Sequence, residues 1–412
     1  VEQIGTEVVV HRELGRRIER HLRVLVEEIG ARPPGSPANR RAAGYVCEIL
    51  DASGLEVVEH PFRTRWWEPG EGGRLETGSG SIDVAPNPYS PAGEVRGIVI
   101  DVDRVEALEE LGTAAGRILG LRGELAREQW FPAAFPFLDL PEHRRLRGHL
   151  ERLAPEAVIA ISDHWEPIFE DPDLTFPSTT ISERHGVRVR DGEVVRLHLA
   201  GAVHEGEGAT VAARNVAGGR RIVLSAHLDS KATTPGAFDN AASVATLLAI
   251  AETRRIGPEP LEIVLFNGED HFDACGELAW LAATDLDDVS ANINVDGIGL
   301  SGHGTSLATL ACPASLEDVV NDWVERREDW TRAAPWFESD HAIFAMHGIP
   351  ALAITSEDVH ALLGDLAHTP ADNLDVLDLG VLEDVAAGLP ELLVLLGATT
   401  DSRQIPDTGA LP

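Results

Sequence analysis

RIVLSAHLDSKATTPGAFDNAASVATLLAIAET, residues 221–253, is the stretch on which the fold turns. It opens as an apolar run from Arg221 to Ala226, too short for a helix and apolar at nearly every position rather than at alternate ones. A strand of that kind expects cover on both faces, which is the environment of a parallel sheet packed between helices. A loop follows, carrying His227, Asp229, Asp239 and Asn240, and then a strongly apolar helix from Ala241 to Thr253. The unit repeats downstream. Leu261 to Phe266 predicts a second buried strand and ends in Asn267-Gly268-Glu269-Asp270, and residues 291–295 predict a third, ending in Asp296-Gly297. Residues 350–354 read as another strand, and 276–283, 315–327, 340–347 and 380–396 as helices. Strands alternating with crossover helices predict an α/β fold, a mainly parallel mixed sheet with helices on both faces.

Working outward, residues 10–60 read as helix, loop, helix, strand, and Trp66-Trp67 gives way to Glu68-Pro69-Gly70-Glu71-Gly72-Gly73, a turn-rich boundary. Residues 68–202 change character to short β-like runs (95–102, 117–121, 157–162, 194–199) broken by turns and two Arg/Glu-rich helical stretches. The expected organisation is a discontinuous α/β domain, 1–67 and 203–400, interrupted by a smaller β-rich domain at 68–202 and followed by a polar tail at 401–412.

Charge narrows the function classes. The chain has 68 acidic and 34 basic residues, a formal net charge of −34, and Lys231 is its only lysine. Such a surface repels nucleic-acid backbones and anionic bilayers, so neither is an expected partner. Three scattered cysteines form neither a disulfide framework nor a structural zinc knuckle. No stretch approaches 18 consecutive apolar residues, and the first residues lack a signal-peptide pattern. That absence tilts the expectation toward the cytoplasm, while a start at Val1 leaves a secreted form open.

In open α/β sheets functional residues gather at the carboxyl ends of strands. That is where His227, Asp229, Asp239, Glu269, Asp270 and Asp296 fall, joined from downstream by Ala367-His368-Thr369-Pro370-Ala371-Asp372-Asn373. Imidazole and carboxylate are the donors divalent metals want, with imidazole favouring zinc. Paired zinc ions need one bridging carboxylate and terminal ligands on each, with a further carboxylate left off the metals as general base. His227, Asp239, Asp270, Asp296 and His368 can fill the ligand positions and leave Glu269 as the base. Asp229, two residues past His227, could accept the ring's other N–H and fix its tautomer. Each of these residues alone reads as a helix cap or surface charge, Asp239 especially. Their coincidence in one half of the chain does not.

Six motifs, His227-x-Asp229, Gly236-Ala-Phe-Asp239-Asn240, Asn267-Gly-Glu269-Asp270, Asn294-Val-Asp296, Ser339-Asp340-His341-x-x-Phe344-x-x-x-Gly348-Ile349-Pro350 and His368-Thr-x-x-Asp372, stand in the order found in the co-catalytic zinc exopeptidases. The chain resembles that family, which includes bacterial leucyl aminopeptidases, aminopeptidase Y and glutamate carboxypeptidase, with glutaminyl cyclases as relatives. The likeness covers residues 10–60 and 203–400, and residues 68–202 resemble the protease-associated domain inserted in some members. It implies the zinc exopeptidase fold, one zinc on Asp239, Asp270 and His368, another on His227, Asp239 and Asp296, and Glu269 as general base. Asp270 stands where many members carry Glu. Ala367 stands where some carry a Tyr that holds the tetrahedral intermediate, a role His341 could take.

The expected reaction is hydrolysis of an amide in a peptide or amino-acid amide, Glu269 taking a proton from water and returning it to the leaving amine. The carboxylate-rich site favours an aminopeptidase. Lys231, four residues past His227, argues for a carboxypeptidase or N-acyl amino acid amidohydrolase. A glutaminyl-cyclase-like acyltransferase would use a single zinc, another divalent metal could replace zinc, and a non-catalytic receptor on a peptidase fold is the remaining reading. Oligomeric state is left open. In the insert, Trp130-Phe131 and Phe135-Pro-Phe137 read either as a small local core or as a lid that restricts substrates to short ones.

Overall fold

The computed structural model describes residues 13–400 except 139, 165, 217–218, 255–258, 360–363 and 365, so the predicted 401–412 tail lies outside the described residues. Among the described residues thirteen strands form one mixed sheet. In chain order they are β1 (Glu56–Thr77), β2 (Gly80–Val84), β3 (Gly93–Val102), β4 (Arg117–Leu121), β5 (Ala157–Ile161), β6 (Ser178–Ile181) and β7 (Val194–Arg214). There follow β8 (Arg221–His227), β9 (Leu261–Phe266), β10 (Val289–Val295), β11 (Thr305–Leu310), β12 (Trp330–Arg332) and β13 (Ala351–Ser356).

One half of the sheet holds the four parallel neighbours β9, β8, β10 and β13, as the uninterrupted apolar runs require. Every residue of β8 and β9 is buried. The helix Ala242–Thr253 lies among the side chains of β8, β9, β10 and the N-terminal helices in the largest core cluster. Trp280 and Phe344, from helices Cys275–Ala283 and His341–Met346, join Val223, Val264 and Phe266 in a second cluster. The α/β fold predicted from sequence, a mainly parallel mixed sheet flanked by helices, is what the chain adopts. Antiparallel β11 and the short β12 extend the sheet at one edge, and the sequence reading had assigned neither.

β1 and β7 are long antiparallel partners, 22 and 21 residues, running from that half into the insert. β7 pairs with β9 through Val211–Arg214 and with β3 through Val194–Leu199. Beyond it, β3, β4, β5 and β6 form a second parallel run. Two further core clusters are built wholly from residues between Leu75 and Leu199. The expected boundary at residues 67–68 and 202–203 falls on one rung of this ladder, Glu68 opposite Ala202. Glu68–Gly73, read from sequence as a turn, is instead a bulge: β1 advances from Pro69 to Gly73 while β7 moves only from Gly201 to Leu199. Proline lacks a ladder donor and glycine tolerates irregular backbone, so the register slips there and then resumes.

Candidate metal centre

His227 is the last residue of β8, and Asp296 follows β10 directly, its N–H donating to the Ile354 carbonyl at 2.9 Å. Asp239 comes from the loop between β8 and the buried helix. Gly236 makes that loop possible: its φ is +62°, and an added Cβ would stand 2.5 Å from the Asp239 carbonyl oxygen. Asp372 then holds the loop, accepting from the N–H groups of Phe238 at 2.6 Å and Asp239 at 3.1 Å. Asn240 ties it to the end of β10 by donating to the Val295 carbonyl at 3.1 Å. His368 has φ +59°, a left-handed conformation that few residues other than glycine adopt.

The five expected ligands meet at one point. His227 Nε2 lies 2.9 Å from Asp239 Oδ1 and 3.4 Å from Asp296 Oδ1. His368 Nε2 lies 3.2 Å from Asp239 Oδ2 and 2.8 Å from Asp270 Oδ1. Thus the two oxygens of Asp239 face different histidines, and Asp270 reaches despite being a methylene shorter than Glu. Two donors about 2.0–2.1 Å from a tetrahedral metal stand roughly 3.3 Å apart, so these spacings fit a shared cation on each side of Asp239. Both ring nitrogens of His227 and Oδ2 of Asp270 are buried without a well-formed hydrogen bond, a cost that a bound cation would remove. Burial alone would lower the pKa of His227, but Asp296, Asp229 and Asp239 outweigh it and hold the imidazole well above its ordinary value. The site demands positive charge.

Glu269 lines the cavity in front of these residues. Burial, opposed by His227 and reinforced by Asp270, Asp296 and Asp340, raises its proton affinity well above that of an ordinary carboxyl. Asp229 is placed differently from expectation. Its Oδ1 is 3.6 Å from His227 Nδ1, too long for a hydrogen bond. Its oxygens accept instead from the N–H groups of Gly268 at 2.9 Å and Asp270 at 3.1 Å, so it braces the loop that carries Glu269. Ser339 donates to Asp296 and accepts from Asn294 at 2.8 Å, which accounts for part of the Ser339-Asp340 motif.

His341 is not brought to the cavity. It is fully buried, its Nε2 bonds the Trp336 carbonyl at 2.7 Å, and its ring packs edge-on to Trp336 at 4.4 Å. Its place in the first turn of a helix whose outward side chains are Ala342 and Met346 directs it inward. Asp163 and His164 serve local structure, Asp163 accepting from the Glu183 N–H at 2.9 Å and the His164 N–H donating to Ser162 at 2.9 Å. Cys275 is buried, and burial pushes its thiol well above the ordinary range, as suits a packing residue.

Three supporting residues carried no local signal in the sequence. Arg32 is fully buried and donates to the carbonyls of Leu228 at 2.6 Å, Pro235 at 2.7 Å and Gly236 at 3.0 Å, pinning the Asp239 loop from the N-terminal segment. Glu166 and Glu170 come from the insert: Glu166 Oε1 is 3.1 Å from His368 Nδ1, and Glu170 Oε2 accepts from Lys231 Nζ at 2.9 Å. Asp372 and Asn240, which also hold the Asp239 loop, had both stood in recognisable motifs.

A cavity of about 490 Å³ opens over the site. Its floor is acidic, with Glu269, Asp270, Asp296 and Asp340 among its walls, and Lys231 is the only Lys or Arg among its described lining. Phe131, Phe135 and Phe137 of the insert line it together with Phe337, Ile343 and Met346 from further along the chain. The aromatic pair Trp130-Phe131 therefore divides. Trp130 is 2% exposed and packs against Phe169 and His143, so Trp130→Ala should lower stability by about 3–5 kcal/mol in a denaturant melt. Phe131 and Phe135 are half-buried on the cavity wall. Phe131→Ala should leave the melt nearly unchanged and raise KM roughly fivefold for apolar substrates, the loss of about 1 kcal/mol of contact. Unchanged KM on every substrate length would contradict a wall in contact with substrate.

Comparison with known proteins places part of the chain in sequence and nearly the whole of it in fold. Residues 209–393 match peptidase family M28. The fold resembles that of an aminopeptidase from Aneurinibacillus sp. strain AM-1 (TM-score 0.70, 19% identity, 94% of this chain and 96% of that one). It also resembles a zinc aminopeptidase from Bacillus subtilis (TM-score 0.66, 16% identity, 96% of both chains). A vacuolar membrane protease of Yarrowia lipolytica is 37% identical over 160 residues, which are 37% of this chain and only 16% of that protein. Among the described residues no helix is long and apolar enough to cross a membrane.

Proposed function

We propose that the chain, whose residues 209–393 match peptidase family M28, is an aminopeptidase of that family dependent on two zinc ions. The observation that carries the reading is Asp239, whose Oδ1 lies 2.9 Å from His227 and whose Oδ2 lies 3.2 Å from His368. His227 and Asp296 would complete one ion's ligands, His368 and Asp270 the other's. When bound, such ions lower the pKa of water and polarise the scissile carbonyl. Glu269 takes the proton from the attacking water and returns it to the leaving amine. Asp229 keeps Glu269 in place through the backbone of the same loop.

The choice of terminus rests on charge. A carboxypeptidase needs a free cation for the substrate carboxylate. Lys231 is already engaged, by Glu170 at 2.9 Å and by the Asp270 carbonyl at 2.9 Å. An acidic cavity floor suits a substrate ammonium instead. Leucine p-nitroanilide should therefore be hydrolysed in a chelator-sensitive manner, and its N-acetyl derivative should not. Cleavage of N-acyl dipeptides in preference to the free-amine substrate would transfer the assignment to a carboxypeptidase or amidohydrolase.

A further inference from the structure

Segment 166–170 of the insert touches the loop that holds the second histidine and, through Lys231, reaches the loop that holds its carboxylate. Glu166 Oε1 is 3.1 Å from His368 Nδ1, the ring nitrogen turned away from Asp239 and Asp270. Four residues on, Glu170 accepts from Lys231, whose ammonium also donates to the Asp270 carbonyl. The mounting is firm. Ser162 donates to the Ala126 carbonyl, His164 Nδ1 accepts from the Glu166 N–H at 3.1 Å, the Ile168 N–H donates to Thr180 at 3.0 Å, and the Trp130 N–H donates to the Ile168 carbonyl at 2.9 Å. Segment 166–170 is thus fastened to the insert's own core, where Ile168 and Phe169 are buried.

An imidazole can offer a lone pair at Nε2 only if its other proton sits on Nδ1, and a carboxylate at Nδ1 fixes that tautomer and the ring's direction. We propose that Glu166 is a positioning residue for His368, so that the insert completes the metal centre as well as walling the cavity. This rests on His368 being a metal ligand, and a test must separate the two ideas.

Zinc affinity of the full-length, metal-free chain, measured by competition with a chromophoric chelator, makes that separation. The wild type should bind two equivalents. Glu166→Ala should weaken one of them by about 10–100-fold and leave the other alone. Glu166→Gln, whose amide oxygen can still accept from Nδ1–H, should recover most of that loss. Wild-type affinity for both equivalents in Glu166→Ala would overturn the proposal while leaving the metal centre standing. Failure of the wild type itself to bind zinc would remove the reading beneath it. Should Glu166→Ala not fold, hydrogen exchange on the wild type decides: zinc should slow exchange in residues 166–170 together with 366–372. Slowing in 366–372 alone would overturn the proposal.

Discussion

Glu269→Gln should retain metal, fold and substrate affinity but lose turnover by at least ~10²–10⁴-fold, the range typical of a general base. The amide is nearly isosteric and can still accept a hydrogen bond from water, but it cannot take a proton and hand it on. Glu269 makes this prediction clean because it lies on the cavity, outside the close contacts between the two histidines and their carboxylates. Unchanged KM with a collapsed kcat is the expected pattern, and the loss should persist at saturating zinc. Activity within a few-fold of wild type would remove Glu269 from the chemistry.

Asp239→Ala should be as damaging for a different reason. Its carboxylate is the only one that approaches both His227 and His368 among the described residues. Removing it takes a ligand from each ion, so metal analysis after mild dialysis should find both depleted and turnover near background. His368→Ala should weaken chiefly one ion, because His227, Asp239 and Asp296 keep their mutual geometry. Equal depletion by the two variants would mean that the ions do not bind separately around a common bridge.

The catalytic half was legible because its signals are local. A buried parallel strand reads as an unbroken apolar run, and a carboxylate or histidine just past it lies at the rim where strand ends converge. His227, Asp270 and Asp296 were found that way, and Asp239 by its Gly-bearing loop. What escaped was long-range. Arg32 reaches the Asp239 loop across about 200 residues of chain, and Glu166 meets His368 from inside the insert; neither sits in a motif of its own. Glu166 in particular shows why composition cannot reveal a contact made from a distant part of the chain. His341 failed in the opposite way: its motif was legible, but a helix packed on the sheet turned the ring into the core. β12 was missed because Trp330–Arg332 is only three residues long, and β11 because Thr305–Leu310 mixes Thr, Ser and Ala with its two leucines and shows no unbroken apolar run.

The central claim is that two cations act together across Asp239. Zinc should be added stepwise to the metal-free protein while bound metal and hydrolysis of leucine p-nitroanilide are followed together. The account predicts that activity climbs to its plateau only as the second equivalent binds, with little more thereafter. One tightly held equivalent that gives full activity, with no gain from further zinc, would contradict it and point to a single-metal, cyclase-like centre.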